Sequence, residues 1–246
     1  MVRYTWEDLI DGKIPLDCTE FNCNGDNLNE LPELPQKLLQ LDCNYNNLTK
    51  LPELPQTLQI LRSCSNNLIE LPVLPQTLTH LNCSSNKLNE LPVLPQTLQI
   101  LWYGNNKLNN LPVLSQTLKT LYCECNNINE LPELPQTLIV LICFNNNLSK
   151  MPELPQTLIE LYCHHNKLNN LPVLPQTLTQ LNCSNNKLNE LPKLPQTLKF
   201  LYCNDNNIKY LSYKNCEIIK KLERIDLLNN PFLANFTTDG EFISSF

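Results

Sequence analysis

The amino-acid sequence predicts an elongated solenoid: short parallel strands line its concave face, extended or polyproline-II return limbs lie opposite them, and short helical caps close its ends. Three observations predict this fold: a strict period of 20 residues, leucines at fixed offsets within each period, and two prolines in each return limb. A single repeat cannot bury its own apolar face, so neighbouring repeats stack around a continuous core. The length of 246 residues therefore does not indicate separate globular domains.

The repeat array is predicted to span residues 14–210. Residues 14–30 form a degraded first repeat, in which Asp26 stands where later repeats have asparagine. Nine regular repeats of the form LPxLPQTLxxLxCxxNxLxx follow, and they begin at Leu31, Leu51, Leu71, Leu91, Leu111, Leu131, Met151, Leu171 and Leu191. A terminal repeat has a neighbour on one side only, which is why the first one is expected to be atypical.

An N-terminal cap is predicted in residues 1–13. Thr5 and Asp8 loosely fit a capping box, which favours a short helix. Trp6 and Leu9 would lie on one face of that helix, where they would cover the first coil. Trp6 is therefore interpreted as a structural residue and not as part of a ligand site.

A C-terminal cap is predicted in residues 211–246. Residues 214–222 have apolar side chains near helical spacing, and the inward side of this helix is predicted to consist of Ile218, Ile219 and Leu222. One more copy of the repeat follows, with a longer, helical return limb. The tail after residue 232 is expected either to fray or to cover the last coil with its phenylalanines, Phe236, Phe242 and Phe246.

Each repeat contains one short strand. Leu41 and Cys43 are two residues apart, so both point to the same side of an extended segment. Gln40 and Asp42 point to the other side, towards the concave face. The strand is predicted to be three to five residues long and to join a parallel sheet with its copies in the neighbouring repeats.

The return limbs are predicted to be extended because of their prolines. Pro52 and Pro55 lack N–H groups and disfavour helix at the leucines that precede them. The chain must then reverse its direction, and the sequence places a tight turn near Gln56 and Thr57. The limb between the prolines is expected to resemble polyproline II.

An asparagine recurs where the chain leaves each strand. A buried amide at this point can bond to backbone groups that would cost about 1–3 kcal/mol each if they were left unsatisfied. The column is interpreted as structural, and it consists of Asn46, Asn66, Asn86, Asn106, Asn126, Asn146, Asn166, Asn186 and Asn206.

Eight of the 12 cysteines occupy one slot of the repeat: Cys23, Cys43, Cys83, Cys123, Cys143, Cys163, Cys183 and Cys203. Neighbouring copies would be about 4.8 Å apart and parallel, whereas the Cβ atoms of a disulfide are about 3.8 Å apart. Ser63 and Tyr103 interrupt the column. We therefore predict a column of free, buried thiols and infer a reducing compartment.

Charge and hydropathy exclude two partner classes. The 18 Lys and Arg residues against 24 Asp and Glu residues leave a net charge of −6, without the basic stripe that nucleic-acid binding requires. No apolar run is long enough for a signal peptide or a membrane span. We expect a soluble, cytoplasmic protein that binds neither nucleic acid nor membrane.

The strongest candidate site is a stripe of large side chains on the concave face. Four consecutive repeats place Trp102, Tyr122, Ile142 and Tyr162 at one outward position, over about 15 Å, and further apolar groups flank them at Ile100, Val140 and Phe144. Exposed apolar patches with Trp and Tyr anchors are typical of partner-binding surfaces. The alternative is that these side chains pack on each other and stabilise the sheet.

The repeat that contains Trp102 is the least regular one. Tyr103 fills the cysteine slot, Gly104 follows it, and Ser115 replaces a proline in the next return limb. A glycine there would permit the backbone to relax around the large Tyr103 side chain. Two interpretations stay open: the irregularity orients Trp102 for a ligand, or it is simple drift in a long array.

The sequence contains no convincing catalytic or metal site. Cys163 and His164 are adjacent and point to opposite sides of their strand, and Glu124 lies two strands from His164, about 10 Å away. Those positions do not suit zinc. Neither a nucleophile–base arrangement nor a phosphate loop is present, so we predict no enzyme activity and no cofactor.

The pattern LxxLxCxxNxL of residues 38–48 resembles the leucine-rich repeat. The 20-residue form with LPxLP is similar to the repeat domains of bacterial effectors delivered into host cells. Cysteine in the strand slot and the PQTL motif resemble, more closely, repeat proteins of large DNA viruses that infect amoebae. Some of the bacterial relatives carry a C-terminal ubiquitin-ligase domain with a catalytic cysteine. The tail of this chain is too short for that domain, and Cys216 is interpreted as a packed residue.

The resemblance and the aromatic stripe together predict a non-enzymatic protein-interaction module that binds a partner protein, such as a host protein, on its concave face. Its location would then be the host-cell cytoplasm. Two alternatives stay open. The chain could be the substrate-recognition subunit of a ubiquitin ligase or another enzyme supplied by a second chain, or it could be a structural component of an assembly. Neither the oligomeric state nor the partner follows from the sequence.

Overall fold

The computed structural model describes residues 3–8 and 13–231, and in these ranges nearly every repeat contributes one three-residue strand. The strands are β1 (Arg3–Thr5), β2 (Glu20–Asn22), β3 (Gln40–Asp42), β4 (Ile60–Arg62), β5 (His80–Asn82), β6 (Ile100–Trp102), β7 (Thr120–Tyr122), β8 (Val140–Ile142), β9 (Glu160–Tyr162), β10 (Gln180–Asn182), β11 (Phe200–Tyr202) and β12 (Arg224–Asp226). A 3₁₀ turn covers Trp6–Asp8, and one α-helix, α1, covers Tyr213–Ile219.

The chain divides into two compact units, the first ending at Ile128 and the second beginning at Asn129. In the first unit, β1 to β7 pair in parallel, each with the next strand along the chain. In the second unit, β8 to β12 pair in the same way. Residues 20 apart are partners, as Leu41 is with Leu61, so the sequence period is also the register of the sheet.

The strands form because their side chains alternate between the core and the surface. Leu41 and Cys43 are completely buried, and Gln40 and Asp42, which point the other way, are half-buried. Further leucines of each repeat pack behind the strand, such as Leu48 at the exit from the strand. The predicted parallel-strand solenoid with non-helical return limbs is confirmed.

The cysteine column is buried and reduced, as predicted. None of its eight thiols forms a disulfide, and all eight are inaccessible to solvent. Burial raises the pKa of Cys83 and of Cys163 from the ordinary 9.0 to about 12, since a thiolate would lose its hydration there. The Cys43 thiol contacts the Arg62 carbonyl oxygen at 3.3 Å, which makes it a weak donor within an apolar column.

The asparagine column bonds each repeat to the one before it. The Asn46 side-chain oxygen accepts from the Leu28 N–H at 2.8 Å, and its amide nitrogen donates to the Cys23 carbonyl at 2.7 Å. The same two contacts recur from Asn66 to Leu48 and Cys43. The predicted structural role is confirmed: each amide satisfies backbone groups that the three-residue strand leaves free.

The turn of each return limb is where the sequence placed it. The Leu58 N–H donates to the Pro55 carbonyl at 3.0 Å, which closes a turn over Gln56 and Thr57. The threonine has a role that the sequence analysis missed. The Thr57 hydroxyl shares its proton between the Gln36 and Leu38 carbonyls, at 2.9 and 2.8 Å.

Threonines at this position form a second ladder, opposite the asparagines. Its members with the same pair of contacts include Thr57, Thr77, Thr97, Thr117, Thr157, Thr177 and Thr197. Ser115 belongs to this ladder too: its hydroxyl donates to the Gln96 carbonyl at 2.9 Å, and the turn is unchanged by the loss of proline. Ser115 is therefore a structural residue.

One position of every repeat has a left-handed backbone. The residue before each ladder asparagine has φ near +55°, at Tyr45, Ser65, Ser85, Asn105, Cys125, Asn145, His165, Asn185, Asp205 and Asn229. In the first repeat this position is Gly25, with φ of 79°. L-residues reach this conformation with difficulty, whereas glycine reaches it freely.

The N-terminal segment differs from its prediction. Instead of a capping-box helix, the strand Arg3–Thr5 extends the sheet by pairing with Glu20–Asn22, and a 3₁₀ turn at Trp6–Asp8 follows. Pairing wins here because the first repeat presents unpaired strand groups that a helix would not satisfy. Leu9, the other predicted cap residue, lies outside the described ranges.

The C-terminal helix is confirmed in type and nearly in position. Ser212 caps it by accepting from the Asn215 N–H at 3.2 Å, and Ile218 is buried as predicted. Ile219 and Leu222 are only half-buried. Asn215, which the prediction did not include, is the polar anchor: its side-chain oxygen accepts from the Leu194 N–H at 3.0 Å. The tail residues Phe236, Phe242 and Phe246 lie outside the described part of the chain.

Candidate functional site

The outward side of the strands, called here the strand face, holds the predicted binding residues. Strand residues on either side of the buried core leucine point to this face and are half-buried in nearly all repeats. The residue after the cysteine slot also reaches it. The seven predicted residues are all half-buried there: Ile100, Trp102, Tyr122, Val140, Ile142, Phe144 and Tyr162. They divide between the two units, so each group is described separately.

In the first unit, the strand face carries an aromatic pair. Trp102 and Tyr122 are partners in the register of β6 and β7. Their ring centroids are 5.1 Å apart and their planes differ by 15°, so the rings stack. Stacking in this range contributes about 0.5–1.5 kcal/mol beyond area burial. The packing that the sequence left as an alternative to binding is therefore present, but one side of the stack faces outward from the sheet.

A carboxylate lies beside this pair, above Gly104. A Cβ atom placed on Gly104 would overlap the Glu124 carboxyl group, at both its Oε1 and its Cδ atoms. Any other residue at position 104 would therefore displace the carboxylate. The sequence suggested that the glycine lets the backbone relax around Tyr103, and the structure adds this contact with the Glu124 carboxyl group.

Two polar atoms of this group have no partner among the described residues. Trp102 Nε1 and Glu124 Oε2 are both inaccessible, and neither makes a hydrogen bond there. Buried polar groups without a partner are rare because each one costs about 1–3 kcal/mol. Burial also raises the pKa of Glu124, with a backbone hydrogen bond opposing the shift. The group thus combines an aromatic surface, an unpaired donor and an unpaired carboxylate oxygen.

In the second unit, the strand face carries a different aromatic group. Phe144 stacks on His164 with ring centroids 4.4 Å apart, and His165 meets His164 edge-on at 5.4 Å. The Tyr162 hydroxyl donates to the Gln180 side-chain oxygen at 2.6 Å. Ile142 pairs with Tyr162 in the strand register, so this face is apolar with a polar rim.

His164 is neutral at physiological pH. Burial and, to a smaller extent, the positive charge of the neighbouring His165 lower its pKa from 6.5 to about 4. A neutral imidazole can stack on Phe144 without the loss of a hydration shell. Its ring is part of the apolar surface, and the metal hypothesis for Cys163 and His164 has no support in this geometry. Within residues 3–8 and 13–231, no three His, Cys, Asp or Glu side chains are placed to hold a metal ion.

Sequence analysis missed Glu124 and His164 as members of the surface. Both occupy the position after the cysteine slot, which had been counted only for Phe144. In most repeats this position is small or amide-bearing, as with Asn44, Ser84 and Ser184. The replacement of these small residues by large or charged ones at positions 124 and 164 could have indicated that both belong to the surface. The close approach of Glu124 to Gly104 depends on side-chain conformation and could not be predicted from spacing.

A second exposed apolar group lies on the return limbs of the first unit. Val73, Val93 and Val113 occupy one position of three consecutive repeats and are 81%, 82% and 76% exposed. The sequence does not predict binding at these valines, so they provide control positions for the binding experiment proposed below. Among the described residues, no helix is both long and apolar enough to cross a bilayer.

Comparison with solved structures supports the fold. YopM from Yersinia enterocolitica matches with a TM-score of 0.85 and 35% identity, over 89% of this chain and 48% of that one. The leucine-rich effector protein YopM from Yersinia pestis matches with a TM-score of 0.56 and 29% identity, over 89% of this chain and 80% of that one. The functional domain of InlJ from Listeria monocytogenes, which includes a cysteine ladder, matches with a TM-score of 0.76 and 29% identity, over 86% of this chain and 49% of that one.

These matches place the chain with bacterial leucine-rich-repeat proteins in structure. The chain covers 48% of the first YopM structure and so spans about half of its length. No protein-family model matches the sequence, and no curated protein matches it either. The closer resemblance to viral repeat proteins stays a prediction.

Proposed function

We propose that this leucine-rich-repeat protein is a non-enzymatic interaction module whose strand face binds a partner protein, and that the partner is a host-cell protein met in the cytoplasm. The observation that carries the proposal is the Trp102–Tyr122 stack, an aromatic pair held half-exposed on a rigid sheet. Aromatic residues on such a surface are typical anchors of protein interfaces.

The fold and the relatives support this function. Solenoids provide extended surfaces on which side chains of neighbouring repeats act together. Leucine-rich-repeat proteins are protein-interaction modules, and one similar structure is an effector. The second unit has its own apolar surface around Tyr162 and Phe144. His164 stacks on Phe144 there and, because its pKa is lowered, adds no charge to that surface near neutral pH.

The free thiols support the proposed location. No cysteine in the described ranges forms a disulfide, and this includes the half-buried Cys64, Cys125 and Cys216. Accessible thiols of this kind persist in reducing compartments and are oxidised outside them. This agrees with the cytoplasm of a host cell as the place where the protein works.

The test is capture of partners from a host-cell lysate with the wild-type protein and two paired variants. Trp102→Ala/Tyr122→Ala removes the aromatic pair of the first unit, and Val73→Ala/Val93→Ala removes exposed apolar groups from the return limbs of the same unit. We expect the first variant to lose a partner by at least tenfold and the second to retain it. Circular dichroism establishes that both variants are folded.

A parallel variant, Ile142→Ala/Tyr162→Ala, tests the surface of the second unit. The proposal is overturned if both strand-face variants stay folded and retain every partner of the wild type. Loss of partners only in the return-limb variant would move the binding site to the opposite side of the repeats.

A further inference from the structure

Glu124 is the feature that the proposed function does not use. Its Oε2 atom is inaccessible and without a hydrogen-bond partner among the described residues, and none of the ion pairs in those ranges includes it. Burial of a carboxylate away from water costs free energy unless a cation or hydrogen-bond donors contact it. The carboxylate is nevertheless retained, in a space that only a glycine at position 104 leaves open.

The aromatic pair next to it suits a flat cation. Trp102 and Tyr122 stack with an interplanar angle of 15°, and each ring uses only one of its two faces in that stack. A cation over such a face is attracted by the ring quadrupole, most strongly over tryptophan. A carboxylate and a π surface on neighbouring strands are complementary to the same positive group.

We propose that Trp102, Tyr122 and Glu124 form a receptor for an arginine side chain of the partner protein. Because Glu124 Oε2 is inaccessible in the unbound chain, the Glu124 side chain must turn outward on binding; the guanidinium then stacks on an aromatic ring of the pair and donates to the carboxylate. This inference rests on the proposed function, since it names the chemistry by which the strand face recognises its partner.

Arginine suits the group better than lysine. A guanidinium is planar, stacks on aromatic faces and is more weakly hydrated than an ammonium. It also presents several donors in one plane, so it can satisfy Glu124 while it remains in contact with the rings. An ammonium is a compact, strongly hydrated charge, which loses more hydration in a half-buried site.

The purely structural explanation accounts for fewer of the observations. If Glu124 only filled the space above Gly104, a neutral side chain would do so without the unfavourable burial of a charge. In this column other repeats carry Asn44, Cys64 and Ser84, which are uncharged. The unpartnered Trp102 Nε1 on the adjacent strand is also unexplained by packing, because a phenylalanine would stack without burying a donor.

The experiment uses the full chain with Trp6→Phe, which leaves Trp102 as the only one of the two tryptophans. The indole N–H resonance of Trp102 is followed by NMR during titration with N-acetyl-arginine amide. N-acetyl-citrulline amide, which has nearly the same shape without the charge, and N-acetyl-lysine amide serve as comparison probes. We expect a saturable shift with the arginine probe, at least fivefold weaker binding of the lysine probe and no saturation with citrulline.

Variants then separate the carboxylate from general electrostatics. Glu124→Gln keeps the size of the side chain and is expected to weaken arginine binding at least tenfold. Glu160→Gln removes a carboxylate from the strand face of the second unit, where Glu160 accepts from Gln180 at 3.3 Å, and is expected to leave the affinity unchanged. If Glu124→Gln does not fold, the comparison of the arginine and citrulline probes on the unsubstituted site still tests whether the site recognises a positive charge.

The inference is overturned if citrulline binds as well as arginine, since the site would then recognise a neutral donor. It is also overturned if Glu124→Gln binds arginine with unchanged affinity, or if no probe shifts the Trp102 resonance. These outcomes leave the proposed function standing as long as Trp102→Ala/Tyr122→Ala still abolishes partner capture. The two failures are therefore distinguishable.

Discussion

At the scale of single residues, the left-handed position before each asparagine is the clearest conflict between sequence and conformation. Asparagine, aspartate and glycine tolerate positive φ, but Tyr45 adopts φ of 53° and Cys125 the same value. A left-handed conformation costs an L-residue about 1–2 kcal/mol relative to the right-handed one. The tyrosine is accepted because the ladder contacts on both sides of it hold the turn in place.

Replacement of Tyr45 by glycine is therefore expected to stabilise the protein. The gain should be about 1 kcal/mol after the greater backbone entropy of the unfolded glycine is subtracted. Tyr45→Val should instead lower the stability by a similar amount, because a β-branched side chain fits this region worst. Chemical denaturation followed by circular dichroism measures both changes.

Thr49→Gly provides the matched control for this prediction. Thr49 is exposed, lies in the same repeat and is not among the residues with positive φ. Glycine there should destabilise the protein by about 0.5–1 kcal/mol. Equal effects of glycine at positions 45 and 49 would show that the left-handed backbone is not the reason for the change.

The candidate site also shows what residue-level reasoning can reach. Trp102, Tyr122 and Tyr162 could be predicted because alternation along a strand decides which side chains leave the core. Glu124 could not be predicted, because its place over Gly104 follows from a side-chain conformation and not from periodicity. Whether the seven predicted residues bind a partner stays a prediction.

At the scale of structural elements, each return limb is held by a turn whose threonine bonds to the preceding repeat. The Thr77 hydroxyl contacts the Gln56 carbonyl at 2.8 Å and the Leu58 carbonyl at 2.7 Å. Together with the asparagine contacts at the strand exit, this fixes each repeat to its neighbour at two separate places. The PQTL motif is thus explained by the turn and by the ladder, and not by the turn alone.

Thr77→Val should destabilise the protein by about 1–2 kcal/mol, since valine keeps the shape of threonine and leaves two carbonyl oxygens without this donor. Thr77→Ser should retain most of the stability because it keeps the hydroxyl. The denaturation midpoint is the measurement. Similar losses for valine and serine would mean that the methyl group, and not the hydrogen bond, stabilises the turn.

At the scale of the whole molecule, the cysteine column links stability to pH. Burial raises the pKa of Cys23, Cys83, Cys123, Cys163 and Cys203 to about 12, from an ordinary value of 9.0. Between these two values the unfolded chain loses protons that the folded chain keeps. The contribution of these protonated, buried thiols to stability is therefore complete below pH 9, and it is lost as the pH rises towards 12.

We expect the free energy of unfolding to fall steeply above pH 9, by up to about 1.4 kcal/mol per pH unit for each such thiol. The midpoint of urea denaturation, measured under reducing conditions at several pH values, tests this. The double variant Cys83→Val/Cys163→Val removes two of the titrating groups and should have a shallower dependence. An identical slope in this variant would show that the buried thiols are not responsible.

The sequence by itself determined the parallel strands, the buried cysteine and asparagine columns and the position of the turns. These features repeat every 20 residues, so the same residue pattern indicates each of them in every repeat. They depend only on the alternation of side chains along a strand, on the prolines and on the hydrogen-bonding capacity of the asparagine. Tertiary structure alone decided the strand at Arg3–Thr5, the anchoring of α1 by Asn215 and the place of Glu124 beside Trp102 and above Gly104. Each of these occurs once, where a particular side chain or strand edge meets a neighbour distant in the chain, and a pattern of spacing contains no information about such a contact.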